Sequence, residues 1–138
     1  MKYLFLDDER IPTDVTWINI GTGKSYHEST GAPWEVVRSY NRAISWVKNN
    51  GFPDVISFDH DLGYLDSYTN DLGIVIVTNS AESKSGLDFA KWLIEYDLDT
   101  DSMPDNFVFT VHSMNPVGCL AIKHLLDNYI KIKNERKS

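Results

Sequence analysis

Each of three short apolar runs in the chain, KYLFL, DVISF and FVFTV, is followed at once by side chains that can bind metal ions or transfer protons. In chain order these side chains are Asp7, Asp8, Asp59, His60, Asp61, His112, Ser113 and Asn115. A short continuous apolar run is typical of a strand buried on both faces, as in a parallel sheet. Because open parallel sheets bind ligands at the carboxyl ends of their strands, we expect these side chains to form one site.

The acids of this set predict a metal site. Two carboxylates about 4 Å apart repel each other by about 4 kcal/mol at an effective dielectric near 20, so a cluster of them needs a cation or a proton. Oxygen ligands suit Mg²⁺ held jointly with a substrate phosphate, and Mn²⁺ can replace it, whereas zinc more often binds His and Cys. The alternative is that Asp7 and Asp59 cap helices and that the other acids are solvated loop residues.

The segment VHSMNPVG predicts an anion site beside the acids. Pro116 suits the first turn of a helix, and Asn115 or Ser113 suits its N-cap, so free N–H groups would face the strand edge. A phosphate could lie there, with Ser113 and Asn115 as further donors. An ordinary capped helix without a ligand is the alternative.

Two histidines near this edge are candidate general acids or bases, because histidine ionises near neutral pH. We favour His112, since it would face the phosphate from the side opposite the acids. His60 lies between Asp59 and Asp61 in the sequence and could instead only pair with them.

The elements that position these residues follow from the apolar periodicity. Helical spacing predicts helices over 34–48, 86–96 and 117–130. The last helix shows this apolar spacing through Val117, Leu120, Ala121, Leu125 and Tyr129. Together with the three runs, the helices predict an α/β sandwich with a mostly parallel central sheet and helices on both faces.

Three segments fall outside this alternation. Stretches near residues 15 and 71 resemble extra strands that could pair as a hairpin. The segment 64–85 is long for a loop and predicts an insertion, either a hairpin or a loop, over the site. The basic segment 131–138 predicts a flexible tail.

Composition narrows the class of protein. The 138 residues predict one domain over 1–138, and a formal net charge of −7 argues against duplex DNA binding, which requires clustered basic residues. Cys119 is the one cysteine, so no internal disulfide is expected. With no long apolar stretch, we expect a cytoplasmic protein without a membrane segment, of undetermined oligomeric state. The segment IGTGKS has Ile18 where a phosphate-binding loop needs its first glycine, so we reject that motif.

Four ordered segments, LFLDDERIP, ISFDHDLG, SGLDFAKWL and VHSMNPVG, resemble the cyclic-phosphate processing receiver-like family of bacteria and bacteriophages. This resemblance implies a receiver-like (flavodoxin-like) fold and a role in processing cyclic phosphates on nucleotides or RNA ends. It assigns a metal pocket to Asp7, Asp8 and Asp59. It also matches distinctive family motifs to His60, Asp61, His112, Ser113 and Asn115. No strand ends in the lysine that contacts the phosphoryl group of signalling receivers.

The sequence therefore supports a Mg²⁺-dependent cyclic phosphodiesterase or phosphatase. The predicted catalytic residues are His112, which would protonate the leaving oxygen, Asp59, as metal ligand or nucleophile, and His60. The predicted substrate-binding residues are Ser113, Asn115, Arg10 and Asp61. The alternatives are a non-catalytic module that binds a nucleotide or protein partner, and a signalling receiver phosphorylated on Asp59.

Overall fold

The described residues form strands of a parallel sheet, helices and one antiparallel hairpin. The structure is a computed structural model that describes residues 2–15, 33–62, 66–69, 71–78 and 84–137. Its strands and helices are β1 (Tyr3–Leu6), β2 (Glu35–Val37), α1 (Tyr40–Asn50), β3 (Val55–Phe58), β4 (Asp66–Thr69), β5 (Val75–Thr78), α2 (Gly86–Thr100), β6 (Val108–Val111) and α3 (Pro116–Lys137).

Four of the strands form one parallel sheet in the order β2-β1-β3-β6. Leu4, Leu6, Ile56 and Phe58 are buried in a core that they share with side chains from all three helices. Strands β4 and β5 form a separate antiparallel hairpin. The chain thus has the predicted α/β, receiver-like fold, with a mostly parallel sheet, flanking helices and an inserted hairpin.

The register of the sheet decides which side chains meet at its carboxyl edge. Phe5 pairs with Ser57, and Ser57 pairs with Thr110. Because side chains alternate between the two faces of a strand, the residue two positions after each of these lies on the same face. Those residues are Asp7, Asp59 and His112. The face opposite the helical core therefore carries one side chain of each predicted polar set.

The predicted helix over 34–48 is wrong in its first third. Residues 35–37 form β2, which pairs with β1, and the helix starts at Tyr40 after the N-cap Ser39, whose side chain accepts a hydrogen bond from the Arg42 N–H. Val36, Val37 and Tyr40 fit helical spacing, but the two β-branched residues also suit a short strand. Pairing with β1 decides between the two, and this information is not local.

The predicted apolar spacing of α3 agrees only in part with its buried face. Ile122 and Leu126 are fully buried, Leu125 and Tyr129 pack against the core, and Val117 and Leu120 are exposed. Apolar residues occupy two neighbouring stripes of this helix, so spacing alone did not identify the one that packs. The predicted tail from residue 131 belongs to α3 as far as Lys137.

The predicted extra strand near residue 71 corresponds to β5. Its partner is β4, which lies within the same insertion. The other predicted strand begins near residue 15 and falls largely outside the described residues. Within the segment 64–85, residues 64, 65, 70 and 79–83 also lie outside them. Whether this insertion covers the site stays a prediction.

Candidate active site

Three acids converge where the strands of the sheet end. Asp7, Asp8 and Asp59 each offer a carboxylate oxygen, and these oxygens all lie within 4.8 Å of one another. The sheet fixes two of their backbones, since the Asp7 N–H donates to the Val37 carbonyl at 3.1 Å and the Asp59 N–H donates to the Leu6 carbonyl at 2.8 Å. The predicted convergence of these acids is therefore present.

The Asp7 carboxylate is held by four donors. The backbone N–H groups of Glu9 and Arg10 both donate to Oδ1 at 2.9 Å. His112 Nε2 lies 3.0 Å from Oδ2, and Arg10 Nη1 lies 3.4 Å from the same oxygen. Burial alone would raise the pKa of Asp7, but the hydrogen bonds from His112 and from the two backbone groups outweigh it and hold this pKa well below its usual range.

Asp59 and Asp8 carry less favourable charges. Burial, reinforced by the nearby Asp7 carboxylate, raises the pKa of Asp59 to about 6, against the opposing effects of Ser113 and Arg10. The pKa of Asp8 is also raised, by burial and then by Asp7. The three carboxylates repel one another and are partly buried, so a hard divalent cation bound by their oxygens would neutralise this repulsion. These residues therefore fit Mg²⁺ or Mn²⁺.

The acids adjoin a polar cleft of about 840 Å³. The predicted site residues that line it are Asp8, Arg10, Asp59, His60, Asp61, Ser113 and Asn115. Two predicted residues, Asp7 and His112, lie beneath its surface and have no solvent exposure. The structure thus separates the residues that line the cleft from two residues that are buried directly beneath it.

His112 does not face the cleft, contrary to our expectation. Its ring is fully buried, stacks on Phe5 at a centroid distance of 4.4 Å, and has Ser57 on one nitrogen and Asp7 on the other. Burial lowers its pKa despite the Asp7 carboxylate, which favours a neutral ring. A phosphate in the cleft could not reach either ring nitrogen without displacing one of these partners.

His60 is placed better for proton transfer. Its side chain lines the cleft, and its Nδ1 lies 2.9 Å from Asp61 Oδ1. The His60 side chain also packs against Gly118, where a Cβ would lie only 2.4 Å from His60 Cγ. A carboxylate on Nδ1 leaves Nε2 as the nitrogen that can exchange a proton with a ligand.

Ser113 and Asn115 organise the start of α3. Asn115 caps the helix, because its Oδ1 accepts a hydrogen bond from the Gly118 N–H at 3.0 Å. Ser113 Oγ accepts the Asn115 N–H at 3.1 Å, and Asn115 Nδ2 lies 3.4 Å from Asp61 Oδ2. The predicted cap is present, and both polar atoms of the Asn115 amide already have partners within the protein.

Cys119 is not an activated nucleophile. It donates to the Ser113 carbonyl, and burial raises the pKa of its thiol.

Sequence reasoning missed three contributors to the site. Ser57 is an interior strand residue that gives no sign of a polar partner until its register with Phe5 is known. Lys84 lines the cleft from the segment directly before α2, although none of the described strands ends in a lysine. Gly86 lies against Asp59, so closely that a Cβ would come 1.9 Å from the Asp59 carbonyl oxygen. Only tertiary structure reveals these three roles.

The parallel sheet and the acidic cluster at its carboxyl edge define a receiver-like α/β domain. The chain belongs to the cyclic-phosphate processing receiver domain family, whose model matches residues 2–128. This match confirms the resemblance of the four sequence segments. Membership supports a role in cyclic-phosphate processing or as a receiver-like module, and receiver domains use Mg²⁺ at such acids.

Other comparisons add little to this result. No curated protein matches the chain. A similar solved structure is a fusion protein built on the yeast Spc42 trimeric coiled coil, with 14% identity, a TM-score of 0.49, and coverage of 98% of this chain and 82% of that one. Such similarity carries no inference about this chain. Among the described helices, none is both long and apolar enough to cross a membrane.

Proposed function

We propose that this protein is a divalent-metal-dependent phosphoesterase that opens cyclic phosphates on nucleotides or RNA ends. The observation that carries the proposal is the meeting of three carboxylates, within 4.8 Å, beside a polar cleft large enough for a nucleotide. Membership of the cyclic-phosphate processing family supports the choice of substrate class.

Asp7, Asp8 and Asp59 would hold Mg²⁺, or Mn²⁺ in its place. When bound, the ion would polarise the phosphoryl oxygens and lower the pKa of a bound water. The hydrogen bonds of the sheet fix the backbones of Asp7 and Asp59, and the donors on Asp7 hold its carboxylate in place before the ion arrives. This preorganisation reduces the cost of assembling the site during the reaction.

His60 is the residue that we propose as proton donor to the leaving oxygen. It lines the cleft, and the contact between Nδ1 and Asp61 fixes the orientation of its ring. We assign Arg10 and Lys84, the lysine and arginine among the described residues of the cleft wall, to the charge of the phosphate, with Ser113 as an additional donor. His112 is left without a direct role in proton transfer because it is buried.

The test is turnover of a substrate panel. The full chain would be incubated with Mg²⁺, Mn²⁺ or EDTA and 2′,3′-cyclic mononucleotides, 3′,5′-cyclic mononucleotides, cyclic oligonucleotides or RNA ending in a cyclic phosphate. We expect metal-dependent hydrolysis of at least one substrate, lost in Asp59→Asn and reduced about 100-fold or more in His60→Gln. His124→Gln, at an exposed position of α3, is the matched control and should retain full activity.

One observation favours a second candidate, a signalling receiver phosphorylated on Asp59. Lys84 lines the cleft from the segment directly before α2, so a lysine is present although none of the described strands supplies it. In this case acetyl phosphate would leave an acid-labile phosphate on the wild-type protein and not on Asp59→Asn. Binding of a panel nucleotide without turnover or phosphorylation would instead identify a non-catalytic module.

A further inference from the structure

Three buried side chains form a chain of hydrogen bonds beneath the acidic site. Ser57 Oγ lies 2.7 Å from His112 Nδ1, and His112 Nε2 lies 3.0 Å from Asp7 Oδ2. All three side chains have no solvent exposure. Polar groups cost free energy when they are removed from water without partners, so a chain of this kind in the sheet interior requires that its hydrogen bonds be made.

The chemistry of the three groups fixes the direction of the chain. An ionised carboxylate can only accept hydrogen bonds, so His112 Nε2 must carry the proton that points to Asp7. In a neutral imidazole the other nitrogen is then an acceptor, and the Ser57 hydroxyl donates to Nδ1. Ser57 therefore selects the tautomer of His112 that can hold Asp7.

The ring is also fixed in orientation. Phe5 lies parallel to it, with an interplanar angle of 5° and a centroid distance of 4.4 Å. Phe5 and Ser57 are register partners on neighbouring strands, and Asp7 follows Phe5 by two residues on the same face. The geometry of the sheet thus sets the position of the imidazole relative to the carboxylate.

A carboxylate has about four lone-pair directions, and fixed donors occupy three of those on Asp7. These are the two backbone N–H groups on Oδ1 and His112 on Oδ2. The fourth contact is the longest, at 3.4 Å, and comes from Arg10, whose side chain is 33% exposed. The fixed donors thus leave one direction of Oδ2 to a ligand that can replace this arginine contact.

We propose that Ser57 and His112 are positioning residues of the metal site, which hold the Asp7 carboxylate with one lone pair of Oδ2 directed to the cation. The proposal rests on the proposed function in that Asp7 is taken as a metal ligand. It assigns to His112 an action through Asp7 instead of on the substrate, and it adds Ser57 to the site.

The test is direct measurement of Mg²⁺ and Mn²⁺ binding by calorimetry, on the full chain at one pH and without substrate. His112→Asn and His112→Gln are a matched pair, because the glutamine amide reaches the place of Nε2 and the asparagine amide reaches only that of Nδ1. Loss of a partner that orients a metal ligand typically weakens metal binding by about 10- to 100-fold. We expect this loss in His112→Asn, a smaller loss in Ser57→Ala, and recovery of most of the affinity in His112→Gln.

Asp97→Asn provides a control for damage to the fold. Asp97 is buried, as Ser57 and His112 are, but its partners are Tyr129 and Lys133, which connect α2 and α3. The Asp97→Asn variant should be less stable than wild type and should have an unchanged metal dissociation constant. Equal metal affinity of wild type and His112→Asn would overturn the proposal.

A spectroscopic measurement on the unmodified protein provides a second test, which does not depend on any variant folding. Long-range ¹H–¹⁵N correlation of the His112 ring should show a protonated Nε2 and an unprotonated Nδ1, and a proton on Nδ1 would contradict the proposal. A wild-type protein that binds no metal would overturn the proposed function together with the inference. Wild-type metal binding that is insensitive to His112→Asn would overturn the inference alone.

Discussion

Asp59 carries a charge that the metal-free protein opposes. Burial and Asp7 raise its pKa from 3.8 to about 6, so at pH 7 the group is mostly ionised in the native state, but its charge is less favourable there than in the unfolded chain. We predict that Asp59→Asn raises the free energy of unfolding of the metal-free protein by about 1–3 kcal/mol at pH 7, from about 1.4 kcal/mol per pKa unit. Urea denaturation in EDTA measures this change.

The control for Asp59→Asn is Asp61→Asn. The Asp61 side chain is 69% exposed and interacts with His60 outside the cluster of three, so its neutralisation should change stability by less than about 0.5 kcal/mol. Equal stability of wild type and Asp59→Asn in EDTA would show that repulsion in the cluster is weak.

Arg10 has two opposing effects at the residue scale. It contacts Asp7 Oδ2 at 3.4 Å and it lines the cleft. We predict that Arg10→Gln tightens Mg²⁺ binding by about 3- to 10-fold, because a cation leaves the metal site, and that it weakens binding of a phosphate-bearing ligand. Calorimetry with each ligand alone separates the two effects. Arg42→Gln, an exposed position on α1, is the charge-matched control, and unchanged metal affinity in Arg10→Gln would contradict the prediction.

At the scale of elements, the helices α2 and α3 reach the site through glycine. A Cβ on Gly86 would lie 1.9 Å from the backbone oxygen of Asp59, whereas a Cβ on Gly118 would meet the side chain of His60, 2.4 Å from its Cγ and 2.8 Å from its Cβ. We predict that Gly86→Ala lowers the free energy of unfolding by about 1–3 kcal/mol and weakens metal binding. Gly118→Ala should cost less stability than Gly86→Ala, because it displaces a side chain and not the backbone of a metal ligand, and it should retain metal binding.

Activity measurements test whether Gly118 acts on turnover through His60. Gly118→Ala displaces His60 and should therefore lose turnover while it keeps its metal. The double variant Gly118→Ala with His60→Gln should be no less active than His60→Gln alone, because the alanine acts only through His60. Additive losses of activity would show that Gly118 has a separate role.

A buried acid joins the same two helices far from the site. Asp97 accepts hydrogen bonds from Tyr129 at 2.5 Å, from Lys133 at 2.6 Å and from the Met103 N–H at 2.7 Å. Burial would raise its pKa, but Lys133, Tyr129 and the Met103 N–H lower it below 3.8. The folded protein therefore binds this proton less readily than the unfolded chain does, so stability from Asp97 is present above pH 3.8 and is lost as pH falls through the folded pKa.

Because the folded pKa of Asp97 is lowered, the effect of removing its charge on stability should depend on pH. Asp97→Asn should cost about 3 kcal/mol of unfolding free energy near pH 6, since it leaves Lys133 without its buried partner. The difference between wild type and variant should narrow as pH falls below 3.8. Urea denaturation across pH 3 to 7 measures it, and a difference that is constant with pH would contradict the assignment. Asp101→Asn, which removes the exposed partner of Lys133, should have little effect at any pH.

At the scale of the whole molecule, the parallel sheet explains why part of the site was predictable. Apolar runs that end in acids locate strand ends by sequence alone, and parallel strands bring Asp7 and Asp59 together. The orientation of His112 was not predictable, because its burial depends on the register among β1, β3 and β6. Strand β2 was not predicted for a similar reason. Its three residues fit helical spacing, and only their pairing with β1 shows that they form a strand. Local pattern identified the elements, and register determined which side chains point into the cleft.

The same arrangement predicts that a divalent cation stabilises the entire fold. Asp7 and Asp59 extend neighbouring strands of the central sheet and Asp8 follows directly, so a cation on all three binds the native state and not the unfolded chain. At 100 times the dissociation constant, Mg²⁺ should raise the free energy of unfolding by about 2.7 kcal/mol. Thermal and urea unfolding with Mg²⁺, with Mn²⁺ and with EDTA measure this linkage.

Two controls separate specific binding from screening of the net charge of −7. NaCl at the ionic strength of the MgCl₂ sample weakens general repulsion without entering the site, so it should give only a small part of the stabilisation. Asp59→Asn should respond equally to MgCl₂ and to NaCl, because it lacks one of the three carboxylates. Stabilisation of wild type by NaCl as large as that by MgCl₂ would mean that the cluster does not bind the cation, and the metal-dependent function would then lose its basis.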